Sequence, residues 1–359
     1  MAVPSSGSLS FSQIEAEFGS NSTRTLGAYR SPKTGSYPQI VESLSFASLD
    51  TGIPTSGTIK FSDFRGKRLN VVVDCYSGND QNRINVKTNK WNNNKVVVIG
   101  PRTSKKQNGS RIIIHVNKKF GHNSENTGGA TNNCALRTGD FDSASSVVVD
   151  VGSSGKIFGS GGKGGAGADH GKDSNTNNGA PGSPGTSALG VEFNGTKINV
   201  ANGGIIRCGY GGGGGGGSGA DEDPGADRTA GGGGGGGGAG LPAGSGGRGG
   251  TEGNDSGNAD HGKGSAGAAG SLNSGGDAGG GGSSGGSEII GGAGGQGGGY
   301  NPSQIPHAGG DSIGHDGSGG DGGAAGVNGA AIRRKSGHSI IVNDPGNGVT
   351  GSTNATGVS

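Results

Sequence analysis

Hydrophobic and aromatic side chains are scarce in this sequence, which excludes one conventional hydrophobic core for its whole length. Hydrophobic residues occupy 27% of the 359 positions and aromatic residues 4%, against roughly 40% hydrophobic residues in ordinary domains once glycine is left out. Too few side chains exist to fill a core of that size. No run approaches the roughly 18 apolar residues of a transmembrane helix, and the N-terminus lacks the basic and apolar regions of a secretory signal.

Cysteine, proline and excess charge are equally limited. Cys75, Cys134 and Cys208 lie far apart and form no C-x-x-C pair, so we expect reduced, buried thiols rather than a disulfide framework or a zinc ribbon. The formal net charge of +2 gives no electrostatic footprint for nucleic acid or for an anionic membrane. The chain has only 12 prolines, and its glycines come in blocks, which excludes a collagen repeat.

Glycine, by contrast, dominates the second half of the chain. Of the 90 glycines, 70 lie between positions 155 and 330, including the uninterrupted blocks Gly211–Gly217 and Gly231–Gly238. A flexible linker is one interpretation of such a composition. Strand-like islands at 197–200 and 205–208 favour a second interpretation, in which the glycine blocks form a bundle of polyglycine II helices. Only glycine would let such backbones approach closely enough to pair their N–H and C=O groups.

The first 68 residues contain a duplicated motif, P-x-S-G-[ST]-[LI]-x-F-S-x-[IF], at 4–14 and again at 54–64. Each copy predicts an extended stretch and a brief helix, the first capped by Ser12 with Glu15 and the second by Ser62. The module is either a self-contained small domain or a docking unit for a larger assembly. The candidate attachment residues are its apolar side chains, Leu9, Phe11, Ile14, Phe18, Ile59, Phe61 and Phe64.

The sequence as a whole predicts a mainly β fold in four parts. The duplicated module covers 1–68. Short Val- and Ile-rich runs separated by polar turns predict a β-sandwich-like domain over 69–151. The polyglycine II bundle with strand islands covers 152–330, and a C-terminal β hairpin or tail covers 331–359.

Polar loops between the glycine blocks are the candidate binding surface, because glycine helices carry no chemistry of their own. The loops span 169–188, 218–230, 251–263 and 300–316, and their mixture of polar and aromatic residues is typical of binding loops. Tyr300 and Ile305 are either binding anchors or plugs at the base of the bundle. The candidate binding residues are Tyr210, Asp221, Glu222, Asp223, Asp227, Arg228, Tyr300, Gln304, Ile305 and His307.

Catalytic and cofactor signals are weak. The glycines before Lys163 lack the G-K-[ST] ending of a phosphate loop, and no G-x-S-x-G motif occurs. His170, His261 and His315 each adjoin an aspartate, but solvated loop tips explain them more simply than a metal site. We therefore expect no enzymatic activity, no metal and no cofactor.

Three features of the sequence occur together: the duplicated motif, the glycine blocks with strand-like islands, and a characteristic ending. The ending reads G-G-A-A-G-V-N-G-A-A-I at 322–332, followed by S-G-H-S-I-I-V at 336–342. In these features the chain resembles the glycine-rich tail-fibre and tail-tip adhesins of bacteriophages and cyanophages. The resemblance implies a virion tail location, with attachment through the N-terminal part and loops that contact a host receptor, either a glycan or an outer-membrane protein. It also implies a homotrimer, other tail or baseplate proteins as partners, and no membrane insertion. Alternatives are a non-adhesive structural or matrix protein, a surface-polysaccharide depolymerase and an ice-binding protein.

Overall fold

The structure of this protein is a computed structural model. It describes residues 3–18, 25–29, 53–54, 56–67, 70–75, 84–85, 92–93, 96–99, 111–128, 131–141, 143–169, 177–220, 229–251, 262–284, 289–313 and 319–358.

All the helices among the described residues lie in the N-terminal module, and the described strands are short and numerous. The described helices are α1 (Phe11–Phe18) and two 3-10 helices, Leu26–Tyr29 and Phe61–Phe64. The described strands are β1 Asn70–Cys75, β2 Ile84–Asn85, β3 Asn92–Asn93, β4 Val96–Ile99, β5 Arg111–Val116, β6 Lys119–Phe120, β7 Cys134–Arg137, β8 Ser146–Val151, β9 Lys156–Phe158, β10 Ser187–Val191, β11 Thr196–Val200, β12 Ile205–Arg207, β13 Gly219–Ala220, β14 Thr229–Ala230, β15 Ser283–Ser284, β16 Ile289–Ile290, β17 Ile332–Arg334, β18 Ile340–Asn343, β19 Val349–Thr350 and β20 Ala355–Thr356. The predicted mainly β class is confirmed.

The duplicated motif forms two units that pack against each other. Phe11 and Phe61, fifty positions apart, meet edge to face with ring centroids 6.2 Å apart. Their neighbours Ile14 and Phe64 are both fully buried. Equivalent residues therefore occupy equivalent environments, and the repeat in sequence is also a repeat in structure.

The residue that caps each of these helices lies two positions earlier than predicted. The backbone N–H of Ser10 donates to Gln13 Oε1 at 2.8 Å, and that of Lys60 donates to Asp63 Oδ2 at 2.7 Å. The expected caps at Ser12 and Ser62 are wrong, because the extended part of each motif ends one residue before its phenylalanine. The side chain three residues further on then reaches back to the last extended residue.

The middle of the chain coils into a β-solenoid with three faces. On each turn the chain passes through a first, a second and a third sheet, as in β5–β6–β7 and again in β8–β9–β10. The next turns are β11–β12–β17 and β18–β19–β20. Strands of successive turns pair in parallel within each sheet. Antiparallel β3 and β4 extend the first sheet beyond β1.

Apolar side chains stack in columns inside the solenoid. In one column of the first sheet, Ile114 pairs with Val149 and Val149 with Ile198, and all three are fully buried. Leu136 and Leu189 stack likewise on the third sheet. Each turn covers its neighbour, as in other solenoids. This arrangement differs from the expected sandwich, and β17–β20 continue the solenoid instead of forming a hairpin.

Ten extended glycine-rich segments leave the solenoid at one corner, between the second and third sheets. Segments I and II lie between β9 and β10, and segments III to X lie between β12 and β17. The described segments are I (159–169), II (177–186), III (209–219), IV (230–240), V (242–251), VI (262–271), VII (274–283), VIII (290–299), IX (304–313) and X (319–330).

Backbone hydrogen bonds join these segments with a period of three residues. In segment III, Gly212 and Gly215 donate to segment II, Gly213 and Gly216 donate to segment IV, and Gly214 donates to segment IX. The same segment accepts bonds from segments I, VIII and X. Six neighbours with a threefold period are the arrangement expected for packed extended helices with three residues per turn.

Segment IV is surrounded in the same way. It donates to segments I, VI and VIII and accepts from III, V and VII. These two enclosed segments are the ones that contain the uninterrupted glycine blocks. A Cβ built on Gly213 would overlap the carbonyl oxygen of Gly295, and one on Gly216 would overlap that of Gly292. The bundle is therefore a hydrogen-bonded scaffold, contrary to the flexible-linker interpretation.

Candidate functional site: the loop-bearing end of the bundle

Successive segments run in opposite directions, which sorts their connections between two ends. Segment III pairs antiparallel with segment IV, as Gly213 bonds to Gly236 and Gly216 to Gly233. At one end, short turns and the solenoid join the segments; we call this the base. At the other end lie the connections I–II, III–IV, V–VI, VII–VIII and IX–X. We call this the loop-bearing end.

The described flanks of these five connections converge. β13 pairs antiparallel with β14, and β15 pairs antiparallel with β16. Bridges join Gly219 to Gly319, Ala230 to Gly262 and Ile290 to Ile313. The backbone N–H of Asn177 donates to Ser218 Oγ at 2.8 Å, and that of Thr251 donates to Asp169 Oδ1 at 2.9 Å. All five connections therefore start and finish on one surface of the scaffold.

The connections themselves are strongly acidic in sequence. Positions 170–176, 221–228, 252–261, 285–288 and 314–318 together contain ten Asp and Glu against two Lys and Arg, with three histidines. The whole chain carries a net charge of +2. Negative charge is thus concentrated in these connections, while the rest of the chain is net positive.

One ion pair ties two segments together where the bundle meets its connections. Both guanidinium nitrogens Nη1 and Nη2 of Arg248 donate to the carboxylate of Asp169 at 2.7 Å. The backbone N–H and hydroxyl of Thr251 each donate to Asp169 at 2.9 Å. The hydrogen bonds from Arg248 and Thr251 hold the pKa of the Asp169 carboxyl well below its usual range, because they stabilise the ionised form.

The predicted binding residues fall into two groups. Asp221, Glu222, Asp223, Asp227 and Arg228 lie outside the described residues, in the connection whose flanks form β13 and β14 at the loop-bearing end. The other predicted residues lie at the base: Tyr210, Tyr300, Gln304, Ile305 and His307.

Tyr300 lies over a cation of the solenoid at the base. The guanidinium carbon of Arg207 is 3.6 Å from the centroid of the Tyr300 ring and 5.6 Å from that of Phe158. Arg207 Nη1 also donates to Asn273 Oδ1 at 2.8 Å, and the Tyr300 backbone N–H donates to the Asn273 carbonyl. This sandwich connects β12 to two base turns, which favours the interpretation of Tyr300 as a plug.

The remaining base residues serve mainly the backbone scaffold. The buried Tyr210 donates its N–H to Ala239, and burial raises the pKa of its phenol. Burial also raises the pKa of the neighbouring Cys208 thiol to about 11. His307 accepts from Gly214 through its carbonyl. Gln304 bonds to Gly299 through its carbonyl, whereas Ile305 is 58% exposed.

Sequence reasoning missed the Asp169–Arg248 pair and the Arg207–Tyr300 stack. Their partners are 79 and 93 positions apart, and only the alternating directions of the segments bring them together. The sequence signals for Asp169 were its position beside His170 at the start of a candidate loop and the pentapeptide A-D-H-G-K, which occurs at 168–172 and again at 259–263.

The described residues contain no group of three or more His, Cys, Asp or Glu that could hold a metal ion. In the same part of the chain, no helix is both long and apolar enough to cross a bilayer.

Comparisons with known proteins assign this chain to no family. No family model matches the chain, and no curated protein matches it. Among solved structures, it is similar to the gp37-gp38 adhesin tip complex of the bacteriophage S16 long tail fibre, with 17% identity and a TM-score of 0.38. That alignment covers 98% of this chain and 99% of the other.

Proposed function

We propose that this chain is a tail-fibre tip protein of a bacteriophage, which binds a receptor on the host surface through the connections at the loop-bearing end. The observation that carries the proposal is the convergence of all five connections on one surface of a hydrogen-bonded bundle. A rigid scaffold that presents several polar loops together is a recurring solution for recognition, because loops vary without cost to the core.

The scaffold supports this proposal through its rigidity. Segments III and IV bond to neighbours on all sides, so the loop ends are held in fixed positions before a receptor is met. A surface that is ordered in advance loses less conformational entropy on binding. Tyr300 and Ile305 lie at the base, where short turns join the segments, so they are not part of the proposed contact surface.

Attachment to the virion is assigned to the N-terminal module. Ile14 and Phe64 are fully buried in one hydrophobic cluster with solenoid residues, so they support the fold of the module. Phe61 remains 41% exposed, with the partly buried Leu9, Phe11 and Ile59 packed against the same cluster. Phe61→Ser is expected to lower incorporation into virions while the chain still folds, as measured by mass spectrometry of purified particles.

Removal of negative charge from the III–IV connection tests receptor binding. Asp221→Asn, Glu222→Gln and Asp223→Asn combined are expected to reduce adsorption to host cells at least tenfold, because loop charge supplies selectivity and encounter rate. The matched control is Ile305→Ser, an exposed change at the base that leaves adsorption unchanged. Loss of adsorption in the control but not in the loop variant would contradict the proposal.

The proposal describes a binding protein and assigns no catalytic step to any residue. A depolymerase would release reducing sugar from host surface polysaccharide, whereas an adhesin leaves it intact. Sugar release by the purified chain, abolished by the triple loop variant, would replace adhesion with hydrolysis as the function of the same end.

A further inference from the structure

An aliphatic pair lies where segments VIII and IX reach the loop-bearing end. Ile290 and Ile313 each donate a backbone N–H to the carbonyl of the other, at 2.9 and 2.8 Å, and form an antiparallel bridge. Residues directly opposite each other in such a bridge place their side chains on the same face. Ile290 is partly buried, whereas Ile313 is 60% exposed. We call this pair the isoleucine patch.

The fold accounts for the neighbouring isoleucine but not for the exposed one. Ile289 lies on the other face of β16 and is fully buried, with its Cγ2 3.1 Å from where a Cβ on Gly219 would be. Ile313 keeps most of its surface in water, so it adds little hydrophobic stabilisation to the bundle. Of the large hydrophobic side chains that the described part of the chain exposes, Ile313 alone lies at the loop-bearing end.

The chain on both sides of the isoleucine patch is acidic. Positions 285–330 contain four acidic residues and no lysine or arginine. Two of them, Asp311 and Asp321, are exposed on the neighbouring segments IX and X. Asp311 Oδ1 accepts the backbone N–H of Gly322 at 2.9 Å, which brings its carboxylate beside Asp321. Asp311 also precedes Ile313 by two residues, about 6 Å along an extended segment, so apolar surface and negative charge adjoin.

We infer that the isoleucine patch anchors an exposed segment of a host-surface protein, which packs an apolar side chain against Ile313 and places a lysine or arginine beside Asp311 and Asp321. The inference rests on the proposed function and names the receptor class for the same end of the bundle. Buried apolar anchors carry much of the affinity of an interface, and complementary charge sets orientation and encounter rate. A neutral polysaccharide offers no cation, and an acidic one would be repelled.

A polar replacement of similar shape tests the anchor. Ile313→Thr keeps a β-branched side chain that suits the bridge to Ile290, but it removes apolar surface. The full-length variant should bind host cells about tenfold more weakly or worse, with the melting temperature of wild type. Val327→Thr is the matched control, because Val327 is 63% exposed on the half of segment X nearer the base, and it should bind as wild type does. Ile313→Val should lose less than about threefold, since it keeps the patch apolar.

Charge and receptor class are tested on the same cells. Asp311→Asn combined with Asp321→Asn keeps an oxygen that can accept the N–H of Gly322. This variant should bind about threefold more weakly or worse at low salt, and the difference should shrink at high salt. Asp277→Asn, at an exposed aspartate of segment VII, is its control. Protease treatment of the cells should abolish binding of wild type, whereas periodate, which cleaves sugar diols, should leave it intact.

The outcomes separate this inference from the proposed function. If neutral side chains at 221–223 weaken adsorption but Ile313→Thr does not, the loop-bearing end still binds the receptor and the isoleucine patch is not its anchor. A melting temperature of Ile313→Thr well below that of wild type would assign the residue to the fold and overturn the inference. Loss of binding after periodate but not after protease would also overturn it, because the receptor would be a glycan. Unchanged adsorption by every variant would overturn the proposed function as well.

Discussion

A glycine in this chain is required where another backbone lies against its Cα. Gly213, inside the bundle, has the carbonyl of Gly295 where a Cβ would be. Gly280, on an outer segment, has nothing nearer than the Ser265 hydroxyl at 3.6 Å. The two residues are chemically identical, so their different tolerance depends on whether a neighbouring backbone lies on the side that a Cβ would occupy. Gly279 and Gly281, on either side of Gly280, do face a neighbouring carbonyl.

Alanine substitutions at these two glycines should have opposite effects. Gly213→Ala should destabilise the bundle by about 3 kcal/mol or more, because the methyl group forces backbones apart. Gly280→Ala should be neutral or should stabilise by about 0.4–1 kcal/mol, since it restricts the unfolded chain without a clash. Denaturant unfolding measures both, and equal effects would argue against close packing in the bundle.

The Asp169 carboxylate makes the end of the bundle sensitive to acid. Its pKa is lower in the folded chain than in the unfolded chain, where it is about 3.9. The stabilisation is therefore present above about pH 4 and is lost progressively as the pH falls below that value. Both partners are substantially exposed, so the effect should stay below about 1 kcal/mol.

Asp169→Asn should flatten the acid limb of a stability–pH profile. Between about pH 4 and pH 2 the wild type should lose more stability than the variant, and at pH 7 the variant should be slightly less stable. Thermal unfolding at each pH provides the measurement, with Asp277→Asn as an aspartate control on segment VII. Parallel profiles for wild type and Asp169→Asn would show that the pair contributes nothing.

At the scale of the element, the base of the bundle is held to the solenoid by the Arg207–Tyr300 stack. β12 ends at Arg207 and is followed directly by segment III. Asn273 belongs to the turn between segments VI and VII, and Tyr300 to the turn between VIII and IX. One guanidinium therefore joins three chain elements that are remote in sequence.

Two substitutions of Tyr300 distinguish its ring from its hydroxyl. Tyr300→Ala should lower stability by about 1–2 kcal/mol, because it removes the aromatic face from a partly desolvated cation. Tyr300→Phe keeps the ring and should cost less than half as much. Adsorption to host cells at a temperature where both are folded should be unchanged; a selective loss of adsorption in Tyr300→Ala would return Tyr300 to the contact surface.

At the scale of the whole molecule, one corner of a solenoid supports the entire glycine bundle. Two consecutive turns are interrupted between their second and third sheets, the earlier by two segments and the later by eight. An even number of segments returns the chain to the same corner, so the solenoid resumes in register at β10 and again at β17. The polar connections within each pair of segments then start and finish at the loop-bearing end.

Much of this organisation could be predicted from local sequence. The duplicated motif specifies two similar units because its phenylalanines and glycines recur at the same positions. The glycine blocks imply close backbone contact, since little else could form an interior there. The Val- and Ile-rich runs predict strands, and the candidate loops include the acidic connection at 221–228.

Only the tertiary structure decided how these parts are related. Parallel pairing between turns is invisible locally, because β8, β11 and β18 are separated by long insertions and look like isolated strands. Tyr300 lies at the base, whereas β13 and β14, which flank positions 221–228, lie at the loop-bearing end. This separation follows from the alternating direction of the segments, not from the sequence around any one residue. Side-chain chemistry set which elements form, whereas long-range backbone pairing set which of them meet.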